Sequence, residues 1–146
     1  MFDITHELQV AALPDQVFEA ITTSEGLAGW LAADPSASPV VDSETTFTFD
    51  DRTGLLTMRI DLLESPELAH WQCVGGPDEW VGTSVAWRIE SVDADDDGVP
   101  DGISVVRFWH GNWEYGDGSL PRTSFGWAMR LDRLRRYLET GTASLG

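Results

Sequence analysis

The sequence predicts an α+β domain: a curved antiparallel sheet of six or seven strands wrapped around a long C-terminal helix, with two short helices after the first strand. Three observations carry this. Five segments rich in β-branched and aromatic residues (45–49, 55–63, 68–74, 81–92 and 103–110) are separated by Gly, Pro and Asp turn signals. Turns spaced about ten residues apart describe a continuous antiparallel meander. Near the C-terminus, Trp127, Leu131, Leu134 and Leu138 step by four, three and four, which is one apolar stripe of a helix. Finally, the only element long enough to cover the sheet's apolar face is that last helix.

The elements follow in order. In FDITHELQV, Phe2, Ile4, His6, Leu8 and Val10 alternate with polar residues, as in a half-buried strand. Pro14 and Asp15 suit the first turn of a helix, whose apolar face is Val17, Phe18 and Ile21. Thr22 and Glu25 have capping-box spacing for a second helix carrying Leu27, Trp30 and Leu31. In the meander, alternation groups Phe47 with Phe49, Met58 with Ile60 and Leu62, and Val85 with Trp87 and Ile89. For 103–110 alternation leaves two choices: Val105, Arg107 and Trp109 share one face, Val106, Phe108 and His110 the other. Residues 111–121 read as a glycine-rich loop, and Gly141 as the stop of the last helix.

Composition narrows the function classes. The 146 residues, read as a single domain spanning 1–146, carry 25 acids against nine arginines and no lysine, a formal charge of −16. Such a field repels phosphate backbones and anionic lipid, so nucleic-acid and membrane partners are not expected. The start MFDITHELQV lacks a basic, then apolar, leader pattern, and a cytoplasmic location is expected. Cys73 is the only cysteine and reads as a small core residue. The three histidines fall on three different strands without ligand spacing, so no metal or other cofactor is expected. Asp93, Asp95, Asp97, Gly98 and Asp101 match a calcium loop, but its twelfth position is Ser104. An acidic hairpin tip is the simpler reading, and a weak calcium site stays open.

The element order resembles the START-like superfamily, also called SRPBCC or helix-grip proteins, and within it homologues of the activator of heat-shock-protein-90 ATPase. The resemblance rests on ALPDQVFEAITTSEGLAGWLA (12–32), FWHGNW (108–113) and GWAMRLDRLRRYLETG (126–141). One departure is the glycine placed directly after His110. The resemblance implies a helix-grip fold, with an apolar cavity in many members. It also brings three functional classes: small-molecule carriers, co-chaperone domains and polyketide cyclases.

The expected ligand is an apolar or aromatic small molecule held between the sheet and the last helix. Its expected wall is Trp30, Phe47, Phe49, Met58, Ile60, Trp71, Trp87, Phe108, Trp127 and Leu131, with His110 as the polar group. Core packing competes as an account of each tryptophan. Trp80 and Trp113 read as covers for the sheet ends. A protein partner reached through the C-terminal helix is the alternative, using a strip of Arg130, Arg133 and Arg136. An enzyme is not favoured, because it needs an inward acid or base and so depends on where Arg107 and His110 point.

Overall fold

The computed structural model describes residues 1–49, 53–92 and 102–142. The Asp93–Asp101 segment, with its calcium-loop spacing, lies outside the described residues. The elements are β1 (Phe2–Val10), α1 (Pro14–Thr22), α2 (Ser24–Ala28), β2 (Glu44–Thr48), β3 (Leu55–Glu64), β4 (Leu68–Gly75), β5 (Ser84–Val92), β6 (Ile103–Trp113) and α3 (Leu120–Thr140). They form one six-stranded antiparallel sheet in the order β1-β6-β5-β4-β3-β2. The helix-grip architecture expected from the sequence is present.

Helix starts follow local chemistry, with one shift from expectation. Pro14 opens α1, and the Gln16 side chain accepts the Leu13 amide at 2.8 Å. The cap of α2 is Thr23, not Thr22: Thr23 Oγ1 accepts from the Gly26 amide at 3.0 Å. Thr22 is buried instead, its hydroxyl donating back to the Phe18 carbonyl at 2.7 Å. The neighbouring threonines offer the same hydroxyl, and burial of the first leaves the second at the helix entrance. Trp30 and Leu31 follow α2 rather than belonging to it, and both are buried. At the other end of the chain, Gly141 takes the left-handed conformation (φ 71°) and returns its amide to the Tyr137 carbonyl, ending α3 as expected.

Irregular registers bend the sheet. Ile60 faces Trp71 and Leu62 faces His70, so one extra residue sits on β3; Met58 faces Cys73 and Thr57 faces Gly75, so another sits on β4. Each bulge increases local twist and lets the sheet curl over α3. A third lies on β6, where Ile4 faces His110 but Phe2 faces Trp113. Asn112 absorbs it with φ 68°, a conformation asparagine tolerates better than most residues. β6 therefore runs through Gly111 to Trp113, and the expected 111–121 loop shrinks to 114–119.

That bulge explains the departure in HGNW. Without it, His110 and Trp113 would point to opposite faces. With it, both are buried on the face toward α3. Gly111 is required beneath: a Cβ there would meet the Trp109 indole at 2.0 Å. The faces of β6 are settled as well. Val106, Phe108 and His110 point inward, while Val105, Arg107 and Trp109 point outward.

Candidate functional site

The inner face of the sheet and the buried stripe of α3 bring every residue of the expected wall together. Trp30, Phe47, Phe49, Met58, Ile60, Trp71, Trp87, Phe108, Trp127 and Leu131 are all buried in one core. Their rings meet each other. Trp127 lies 4.5 Å from Phe108, 5.8 Å from Phe49 and 6.3 Å from Trp87, measured between centroids. Trp87 lies 4.8 Å from Phe108, 5.7 Å from Trp71 and 5.9 Å from Trp30. These are the separations of aromatic pairs in direct contact. Indole and phenyl rings thus pack against one another on the inner face, where β4 and β5 each supply a tryptophan opposite the tryptophan of α3.

His110 sits at one end of this ring cluster, fully buried. Its partners fix its protonation. Trp127 Nε1 can only donate, and it lies 3.0 Å from His110 Nδ1, so Nδ1 carries a lone pair. The ring proton is then on Nε2, which donates to Thr83 Oγ1 at 2.9 Å. Thr83 passes its own proton to the Trp80 carbonyl at 2.6 Å. The chain Trp127–His110–Thr83–Trp80 leaves no group unsatisfied and holds the imidazole neutral. Burial pushes its pKa down to about 3. Trp80 and Trp113 pack their rings against the imidazole at 4.7 and 4.8 Å. Both ring nitrogens are committed to protein groups, so this histidine is built as a clasp between α3 and the sheet. The acid–base role that inward placement offered has no open nitrogen to use.

The other singled-out residues have structural partners. His6 Nε2 donates to the Ser124 carbonyl at 3.1 Å, a second tie between the sheet and α3, here from β1. His70 pairs with Asp61 on the outer face. Arg107 points outward to Glu7 and Glu90. Cys73 is buried, and desolvation pushes its thiol up to about 11, away from nucleophilic use. On α3, Arg136 and Arg135 reach Asp132 at 3.2 and 2.6 Å, and Arg135 also reaches Glu139. Arg130 lies 3.5 Å over the Phe49 ring. Within the expected strip of Arg130, Arg133 and Arg136, Arg136 is thus ion-paired along the helix and Arg130 lies on an aromatic face.

Solved structures share this fold. The Aha1 dimer from Colwellia psychrerythraea is 30% identical, with a TM-score of 0.83 over 97% of this chain and 98% of that one. The chain belongs to the Aha1-like family of START-like (SRPBCC) proteins. An AHSA1-like protein from Aeromonas hydrophila is 18% identical over 96% of this chain and 94% of that one, with a TM-score of 0.72. DynU16, a putative protein in the dynemicin biosynthetic locus, is 23% identical with a TM-score of 0.75; it shares the fold over 99% of this chain and 49% of its own length. No family model matches the chain, and no curated protein does.

Within this Aha1-like frame, two features escaped the sequence reading. Thr83 is a buried relay of the His110 clasp, yet it lies in a turn before β5 where nothing in the sequence marks it. The second is where the hollows are. One of about 450 Å³ lies on the outer face of the sheet, around Trp109, Ala86 and His70. Another of about 450 Å³ lies at the sheet end, beside Glu79, Trp113 and Tyr115. No helix is long and apolar enough to cross a membrane among the described residues.

Proposed function

We infer that this chain is a co-chaperone-like, protein-binding domain that engages a heat-shock ATPase through α3. One observation carries the reading. α3 holds five of the nine arginines and only two of the 25 acids, so it is a basic element on a strongly acidic chain. On its outward side stand Phe125, 69% exposed, and Met129, 47% exposed, one turn apart and beside the exposed Arg122. Aromatic, methionine and arginine side chains are the types enriched where proteins meet. The partner surface this fits is acidic, with a shallow apolar cleft. Family membership supports the choice of partner.

The test is calorimetric titration of the heat-shock ATPase of the same organism with the wild type and with Phe125→Ser/Met129→Ser. The double variant should bind at least about tenfold more weakly, since interface anchors of this kind each contribute ~1–2 kcal/mol. Affinity should also fall as salt rises. Equal affinity for both proteins, or no binding by the wild type, would reject the proposal.

A second reading is binding of an apolar or aromatic small molecule between the sheet and α3, and it too has an observation in its favour. Trp71 Nε1, Trp87 Nε1 and Thr45 Oγ1 are buried without a hydrogen-bond partner. Each such group costs about 1–3 kcal/mol. An apolar ligand bearing a carbonyl or ether oxygen would relieve that cost, provided the rings part to admit it. Native mass spectrometry of freshly purified protein should then show a bound mass that denaturation releases. A bare protein mass, unchanged across a panel of lipids and polyphenols, counts against it.

A further inference from the structure

The outer face of the sheet carries a groove that neither reading above uses. Four residues stand side by side across it in register: Trp109 of β6 faces Ala86 of β5, Ala86 faces His70 of β4, and His70 faces Leu62 of β3. Adjacent strands lie about 4.8 Å apart, so Trp109 and His70 are separated by about 9.6 Å with only a methyl group between them. That step from large to small to large makes the floor of the 450 Å³ groove, a volume within the usual range for small-molecule sites. Leu68 lines it one row further along.

Charge is placed at one side of this floor. In the next row Arg88 stands opposite Arg107, and both line the groove. Arg107 is engaged by Glu7 at 3.0 Å and by Glu90. Glu90 is thereby committed, and it meets Arg88 only at 3.8 Å, through Nε. Among the described residues Arg88 has no closer ionic partner, and its side chain is 63% exposed. It is thus a guanidinium with no carboxylate closer than 3.8 Å among the described residues, at the margin of an apolar slot, on a chain whose net charge is −16. A carboxylate on a ligand would complete its fork with two parallel hydrogen bonds.

We propose that the groove over Ala86 is a binding site for a planar aromatic carboxylate, with the ring in the slot between Trp109 and His70 and the acid group on Arg88. The site is on the opposite side of the sheet from α3, so it is independent of both functional readings. The apolar floor selects a flat ring, and the single under-partnered arginine selects a monoanion over a neutral or cationic analogue.

The experiment uses the full chain and three probes of equal shape: 2-naphthoate, 2-naphthamide and 2-naphthylmethylamine. Binding is read by NMR shifts of the Ala86 methyl and the Trp109 indole N–H. The naphthoate should shift both signals and bind about tenfold more tightly than the amide, the usual worth of one charge-assisted pair. Arg88→Gln should erase that preference while retaining the weaker apolar affinity. Ala86→Leu, which fills the slot from a half-exposed strand position, should abolish binding of all three, with the unfolding temperature checked against the wild type. Absence of shifts, affinity unchanged in Ala86→Leu, or shifts confined to Trp87 and Trp127 would overturn the proposal, the last by placing the probe on the other side of the sheet.

Discussion

Trp127→Ala will destabilise the fold by roughly 4–8 kcal/mol, the largest loss expected of any single helix substitution here. Trp127 is fully buried and touches Phe49, Trp87, Phe108 and His110 with its ring. Truncating a buried tryptophan costs about 3–5 kcal/mol in transfer energy and cavity. A further ~1–3 kcal/mol comes from His110 Nδ1, which loses its only donor in a site closed to water. Against a total of about 5–15 kcal/mol this leaves a marginal protein. The midpoint should fall by roughly 10–25 °C. Two controls divide the effect. Trp127→Phe keeps a ring and removes the N–H, so it should cost about 1–3 kcal/mol. Phe125→Ala, two residues earlier but exposed, should stay within about 0.5 kcal/mol of wild type. Urea unfolding of the three variants provides the comparison. A Trp127→Ala protein as stable as Phe125→Ala would mean that α3 does not dock on the sheet through this residue.

The sequence exposes the frame of this docking but not its lock. The stripe Trp127–Leu131–Leu134 is legible because helical periodicity is set by backbone geometry, and all three residues are buried. Strand alternation works for the same reason on β5, where Val85, Trp87 and Ile89 fall inward as read. On β3 it breaks after Ile60: the bulge there turns Leu62, which alternation groups with Met58 and Ile60, to the exposed outer face. It stalls on β6 because both of its faces carry large apolar residues, and only the neighbouring strands decide which face meets α3. It breaks between His110 and Trp113, since a bulge shifts the period by one residue and nothing before Asn112 announces it. The expected ligand wall illustrates a different limit. Periodicity states which side chains face inward; whether they leave space depends on summed volumes and on rotamers across five strands, which no single segment encodes. Thr83 is invisible for a related reason: a threonine in a turn has no pattern, and its role exists only through the Trp80 carbonyl and the His110 imidazole that it joins.

The second large effect is on pH dependence, and it follows from the clasp. His110 titrates near 6.5 when exposed and at about 3 in the fold. Between those values the unfolded chain takes up a proton that the folded chain refuses. Stability is therefore fully present above about pH 6.5 and drains away as pH falls toward 3, by about 1.4 kcal/mol per pH unit in the steep part. From pH 7 to pH 5 the loss assigned to this one group is about 2 kcal/mol. Carboxylates complicate the raw curve, because neutralising part of a −16 charge relieves repulsion over the lower end of the same interval. Subtraction removes that background. His110→Gln retains one donor for Thr83 and one acceptor for Trp127, yet has nothing to titrate. Urea unfolding of both proteins across the interval should give curves that converge toward acid pH, with the wild type losing about 2 kcal/mol more than the variant by pH 5. Parallel curves would show that the imidazole protonates as readily inside the fold as outside, which a fully buried ring accepting from Trp127 cannot do without breaking that bond. The direction is opposite to that of a histidine charged by a partner carboxylate, which would gain stability on the acid side. A single pair of titrations thus distinguishes a neutral clasp from an ion-paired histidine at this position.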